Sequence, residues 1–299
     1  MRAYRNYALF TLAACVGVIV LGAYVRASGS GAGCGAHWPL CNGVLLPETD
    51  RHQTLVELSH RLTSAVLLLG CGGLLFGAWR VFPARSFGRR AALLSGGAVV
   101  LEALIGALIV LVRLVEDDKS VERVISVPLH LVNTLFLLAT LTCARLAAIQ
   151  PGARWRWRDD QGKLRPLQLT LGFAALGGLG GVAALGDTLF PPTSVLAGVL
   201  RDFSGKSHLA EQIRVFHPLL ALLWAGAAAS WFAALWERRP RLRRHGQLTL
   251  TLTALNLVLG LGNILLLAPI WLQMFHLLVA NVLWIAFIGF LVRAGSEPA

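Results

Sequence analysis

The stretch Thr54–Trp79 reads TLVELSHRLTSAVLLLGCGGLLFGAW, and it decides the fold. Its only charged residues, Glu57 and Arg61, stand on either side of His60. From Leu62 to Trp79 no charge interrupts the apolar run. One helical crossing of a bilayer takes about 20 mostly apolar residues. Seven more runs have this character: Tyr7–Tyr24, Ala91–Val112, Val124–Ala148, Leu167–Gly186, Val215–Trp236, Gln247–Leu267 and Leu272–Val292. Each is long and continuously apolar, whereas barrel strands are about ten residues of alternating polarity. The expectation is an all-α integral membrane protein of eight transmembrane helices.

Composition agrees. The chain has 299 residues, 56% hydrophobic and 14% charged. A soluble globular domain carries about 25% charged residues. With a mean hydropathy of +0.66, soluble and disordered classes are excluded. The net charge of +12 comes from 27 Lys+Arg against 15 Asp+Glu. With the N-terminus inside, 18 of the 27 basic residues fall on the inner side, and the other nine lie outside with ten of the 15 acids. This bias orients a multi-pass protein, with both termini cytoplasmic. It does not indicate nucleic-acid binding, because the arginine clusters sit in short connectors between spans. The first run reads as a retained span rather than a cleaved signal. Two outer loops are long, Arg26–Gln53 and Asp187–Arg214, while the inner ones read as plain charged connectors.

Of eight histidines, His37, His52, His208 and His245 fall outside the apolar runs and read as solvated. The other four, His60, His130, His217 and His276, each lie one or two turns into an even-numbered span, at similar depth near the outer face. His60 and His130 are 70 residues apart, His217 and His276 are 59 apart, and a long outer loop precedes the first member of each pair. The pattern predicts an internal duplication: two four-helix bundles, residues 1–150 and 151–299, related by a pseudo-two-fold along the membrane normal. Polar groups inside a bilayer are costly and face a bundle interior. One imidazole there is ordinarily a hydrogen-bonding group. Two facing each other across a bundle can bind one iron axially, as in bis-histidine haem sites. Zinc or copper sites gather three or four close ligands instead.

Glu57 lies three residues before His60, on the same helix face. The matching residue in the second half is Arg214, so the halves are not equivalent. Glu57 is a candidate for moving a proton or steadying a cation; the plainer alternative is a salt bridge to Arg61. Glu102, within the third span, lines the first bundle without an assigned role. Cys34 and Cys41 flank a short segment of the first outer loop, where a disulfide, a redox-active dithiol or a metal site using His37 are the options. Cys15, Cys71 and Cys143 read as small buried hydrophobes.

Several segments together resemble one family. Arg26–Cys34 (RASGSGAGC) with Trp38–Cys41 (WPLC), Glu57–Arg61 (ELSHR) and Ala184–Pro191 (ALGDTLFP) are similar to segments of bacterial haem A synthases. The four histidines fall where that family has its four. The resemblance covers essentially the whole chain. It implies an inner-membrane oxidoreductase that converts haem O to haem A by oxidising the C8 methyl of the porphyrin to a formyl group in successive hydroxylations. It implies His60 and His130 as ligands of the substrate haem in the first half, and Glu57 as catalytic acid or base, or as stabiliser of a substrate cation. It implies His217 and His276 as axial ligands of a haem b in the second half, and a Cys34–Cys41 disulfide. The implied partners are a haem O synthase, cytochrome oxidase or its assembly factors, and the lipid bilayer, in an arrangement compatible with a homo-oligomer. One departure stands out. Many bacterial members carry a second cysteine pair in the other outer loop, and Asp187–Arg214 has none.

Two histidine ligands leave the substrate iron no open position. Either one ligand leaves so that oxygen can bind, or the chemistry is outer-sphere; the expectation is the second, with electrons removed, water adding, and Glu57 handling the proton or the positive charge. Two other classes use the same spans. A di-haem b-type electron-transfer cytochrome needs the histidines but not Glu57 or the cysteine hairpin. A transporter or assembly protein with structural histidines needs no haem.

Overall fold

The computed structural model describes residues 1–150 and 152–296. The expected second half, 151–299, thus begins and ends just outside them. The long helices are α1 (Arg2–Ala27), α2 (His52–Val81), α3 (Phe87–Leu111), α4 (Val121–Ile149), α5 (Arg165–Leu189), α8 (Phe216–Arg238), α9 (Arg243–Leu265) and α10 (Ile270–Ser296). Two short ones, α6 (Val195–Asp202) and α7 (Leu209–Arg214), precede α8. Eight helices, α7 and α8 counted as one, are long and apolar enough to cross a bilayer. Their outward faces are apolar: Leu69 is 75% and Leu223 71% exposed. Such a surface suits lipid rather than water.

Helices α1 to α4 pack in succession, and α1 also packs on α4. Helix α5 packs on α8, α8 on α9 and α9 on α10. The two sets meet along α4, which contacts α5 and α10. Small residues allow that approach. A Cβ on Gly177 of α5 would fall 2.5 Å from Leu135, and one on Gly181 would fall 3.4 Å from Leu131. Between membrane helices, where no hydrophobic force acts, such close contact supplies the attraction. Trp284 of α10 adds a polar tie, donating from Nε1 to the Leu135 carbonyl at 2.7 Å while its ring stacks on Phe173 at 4.7 Å. On the outer side, Arg26 of α1 donates to Ala184 O, Thr188 Oγ1 and Gln273 Oε1, joining α1 to α5 and α10.

The connectors hold more structure than their sequence suggested. The second outer loop contains α6 and α7, each with a side-chain N-cap. Ser194 accepts from Ala197 N, and His208 forms a capping box with Glu211. His208 also contacts the Lys119 carbonyl at 2.8 Å. It is therefore a structural cap, not a free solvated residue. His52 and His245 lie in helices α2 and α9. The inner connectors are not plain either. Arg154 donates to Gly295 O, and Arg239 donates to Ala294 O while pairing with Asp160 at 2.6 Å. Cations there satisfy the open carbonyls at the end of α10.

Trp284→Ala removes both the stacking and the tie to α4, and is expected to destabilise the protein by about 3–5 kcal/mol. Trp284→Phe removes the indole donor and is expected to cost about 1 kcal/mol. Thermal unfolding in detergent measures both; equal melting temperatures for the three proteins would contradict this role.

Candidate functional site

Each of the four span histidines lies against a glycine of the helix before it. A Cβ on Gly22 of α1 would fall 2.7 Å from Cε1 of His60 on α2. The corresponding distances are 3.6 Å from Gly106 of α3 to His130 of α4, 2.9 Å from Gly180 of α5 to His217 of α8, and 3.2 Å from Gly260 of α9 to His276 of α10. One helix-pair unit thus recurs four times, with a glycine giving way to an imidazole. Without a side chain opposite, the ring can lie flat along the neighbouring helix. The sequence reading missed these glycines. With 31 glycines in the chain, no single one stood out, and no constant spacing links them to the histidines.

The nitrogens of these rings have unequal partners. His217 Nδ1 lies 3.1 Å from the Leu176 carbonyl. As a donor to that oxygen it leaves Nε2 with the lone pair. His60 Nδ1 is buried with no hydrogen-bond partner among the described residues. His130 Nδ1 lies 3.3 Å from Oε1 of Glu102, close but not aligned as a hydrogen bond. His217 and His276 face each other with ring centroids 6.2 Å apart and planes at 84°. Among the described residues no three His, Cys, Asp or Glu side chains gather as a metal-binding cluster. Paired imidazoles are the donors on offer, which fits axial ligation of a planar group better than a polyhedral metal site.

Cys34 and Cys41 are disulfide-bonded; their sulfurs are joined to each other, so they do not form a metal site with His37. The bonded loop is clamped to α2 at the level of His60. Glu57 accepts from Cys34 N at 2.7 Å through Oε2, and from Arg61 Nε at 3.1 Å through Oε1. Arg61 in turn donates to the carbonyls of His37 and Leu40, at 2.5 and 2.7 Å. The plain reading of Glu57 as a salt-bridge partner of Arg61 is therefore what the structure contains. Its carboxylate is 4% exposed, and among the described residues it makes no hydrogen bond to His60. Cys15, Cys71 and Cys143 are free and buried, as expected.

The second half has a different arrangement at the same place. Arg214 pairs with Asp187 at 3.0 Å and Asp202 at 2.6 Å, and Glu211 pairs with Arg201 at 2.7 Å. Ion pairs brace this outer segment where a disulfide braces the first. Charge at the two matching positions is thus opposite, anionic Glu57 against cationic Arg214, and each is neutralised locally.

Comparison with known proteins places this geometry in context. The chain matches the COX15-CtaA family, described as cytochrome oxidase assembly protein, over residues 5–288. It is 39% identical over 293 residues to a protein of Thermus thermophilus named protoheme IX farnesyltransferase, covering 94% of this chain but 46% of that protein. It is 42% identical over 90 residues to a heme A synthase of Staphylococcus epidermidis, covering 30% of each chain. A heme A synthase of Staphylococcus aureus is 35% identical over 120 residues, 40% of this chain and 39% of that one. The chain thus spans less than half the length of each of these relatives.

The clamp on the disulfide loop is testable. A hydrogen bond to a charged group contributes about 1.5–3 kcal/mol, so Arg61→Met is expected to speed proteolytic cutting within residues 35–50 by about tenfold or more. Mass spectrometry of timed digests reads this. Unchanged cutting would mean that the loop is held by other contacts.

Proposed function

This chain belongs to the COX15-CtaA family, and from that premise we propose that it is a haem A synthase, an oxidoreductase that oxidises the C8 methyl of haem O to a formyl group in successive hydroxylations. The observation that carries the proposal is the fourfold glycine–imidazole unit, with His217 and His276 facing each other in the second half and a buried carboxylate, Glu57, one turn before His60 in the first. The names of the staphylococcal relatives support the reading. So does the name of the Thermus relative: adding a farnesyl group to protohaem is the step that leads to a farnesylated substrate, and this chain matches less than half of that protein.

In this reading the chain works as two halves, residues 1–150 and 151–299. His60 and His130 hold the substrate haem in the first, and His217 and His276 hold a haem b in the second. The donors present fit those groups. His217 keeps Nε2 free by turning Nδ1 to Leu176 O, and the glycines leave each ring room against the helix wall. Haem b, when bound, supplies one-electron redox chemistry. The protein's own contribution to the substrate is orientation and charge. His60 and His130 would hold the substrate haem and leave its methyl-bearing edge open to oxidation. Glu57, with its oxygens engaged by Arg61 and the Cys34 amide, is a fixed anion. That favours steadying positive charge on the substrate over a free proton-transfer role. The Cys34–Cys41 loop keeps Glu57 in place and keeps water from the carboxylate.

In this reading both termini lie on the cytoplasmic side of an inner membrane and the four histidines towards the outer face, which the arginine bias supports. Haem O arrives from a haem O synthase, and haem A passes to cytochrome oxidase or its assembly factors.

Haem extraction and chromatography, after expression with and without a haem O source, tests the reading. The expected result is haem b in both cases, with haem O or haem A added only when the source is present and only when His60 and His130 are intact. Haem b alone under both conditions would favour the di-haem electron-transfer cytochrome; no haem at all would sink both. Glu57→Gln is expected to retain the substrate haem and to lower haem A formation by about 100-fold. Normal product from that variant would remove its role.

A further inference from the structure

Among the described residues, Glu102 is the acid within the apolar runs that neither the loop clamp nor the outer ion pairs use. It sits on α3 one turn before Gly106, the glycine against which His130 lies. Its carboxylate is held from α4 by the two residues that follow His130 by one turn: Asn133 Nδ2 donates to Oε2 at 2.5 Å, and Thr134 Oγ1 donates to Oε1. Asn133 is itself fixed, donating to the Ala98 carbonyl at 3.0 Å. Oε1 then lies 3.3 Å from His130 Nδ1. Among the described residues, His130 is the only one of the four span imidazoles with a carboxylate within 4 Å.

The setting is asymmetric in a way the fourfold unit does not require. At the matching place in the second half, one turn before Gly260, the glycine against which His276 lies, stands the uncharged Asn256; His217 Nδ1, for its part, meets the backbone carbonyl of Leu176. A carbonyl orients an imidazole. A carboxylate orients it and also pushes electron density through the ring to whatever Nε2 binds. A purely structural carboxylate between α3 and α4 would be satisfied by Asn133 and Thr134 alone; this one also lies 3.3 Å from the imidazole Nδ1.

We propose that Glu102 is a positioning residue for His130: its carboxylate accepts the Nδ1 proton in a hydrogen bond, fixes the ring with Nε2 towards the bundle centre, and makes this imidazole the more electron-donating ligand of the first-half haem. The proposal rests on the haem reading above. Among the described residues His60 has no carboxylate within 4 Å of its ring, whereas His130 has Glu102 at 3.3 Å, so the two imidazoles would differ in strength as ligands. That suits a half that must stabilise oxidised substrate, because a stronger donor favours the higher charge.

The test is a redox titration of the haem-loaded protein, with the first-half component identified as the one lost in His60→Ala. In Glu102→Gln that component is expected to move to a more positive midpoint potential, the second-half component to stay where it is, and Glu102→Asp to restore most of the original value. A component that does not move in Glu102→Gln overturns the proposal, because a merely structural carboxylate predicts that result. If Glu102→Gln loads no first-half haem while Glu102→Asp does, and the second-half haem is kept by both, the carboxylate is needed to present His130 and the proposal stands. Loss of both haems in both variants overturns it in favour of a general packing role. If the wild-type protein has no component that His60→Ala removes, it is the haem reading itself that fails.

Discussion

An imidazole inside a bilayer is costly wherever it meets lipid, so its ring needs a place within the protein. Four of them, at one depth, constrain where every neighbouring helix can go. In this chain the solution is repeated. The histidine-bearing helix turns its ring inward, and the preceding helix presents a glycine, so the ring lies along the helix wall rather than filling the centre. The packing sequence α1–α2–α3–α4 and α5–α8–α9–α10 follows from pairing each glycine helix with its histidine helix. The small-residue seam of α5 on α4, and the Trp284 tie, then bring the two sets together.

The outer rim carries the difference between the halves. At the position three residues before the first histidine of each half, one has Glu57 and the other Arg214. Each charge is buried, and each is neutralised by what the adjoining outer segment provides. Glu57 takes Arg61 and a backbone amide of the disulfide loop, and Arg214 takes Asp187 and Asp202 from the end of α5 and the end of α6. A buried charge left without its partner is strongly destabilising, so the loop sequences are matched to the charge they cover. The missing second cysteine pair is in keeping with this: the second loop is closed by ion pairs and a histidine cap.

Much of this was legible in the residues. The uninterrupted run Leu62–Trp79 and its seven counterparts revealed the eight helices, because crossing a bilayer demands length and apolarity and little else. That His60, His130, His217 and His276 stand on four different long helices followed from their places in those runs. Other features depend on the rotation of one helix against another, which periodicity does not report. The contact of Glu102 with His130 needs α3 and α4 in one particular register. The glycine partners were hidden by the abundance of glycine. The ion pairs of Asp187, Asp202 and Arg214 exist only because α6 and α7 fold back over the end of α5. Glu57 was legible as important, while its engagement by Cys34 and Arg61 was visible only as an alternative.

The central claim is that two pairs of imidazoles, one pair in each half, hold two porphyrins. A cryo-electron microscopy map of the protein in lipid nanodiscs, purified after expression with a haem O source, tests it directly. The account predicts two planar densities, one between His60 and His130 and one between His217 and His276. A single porphyrin shared by the halves, or density on a lipid-facing surface with the imidazole pairs collapsed on each other, would contradict it.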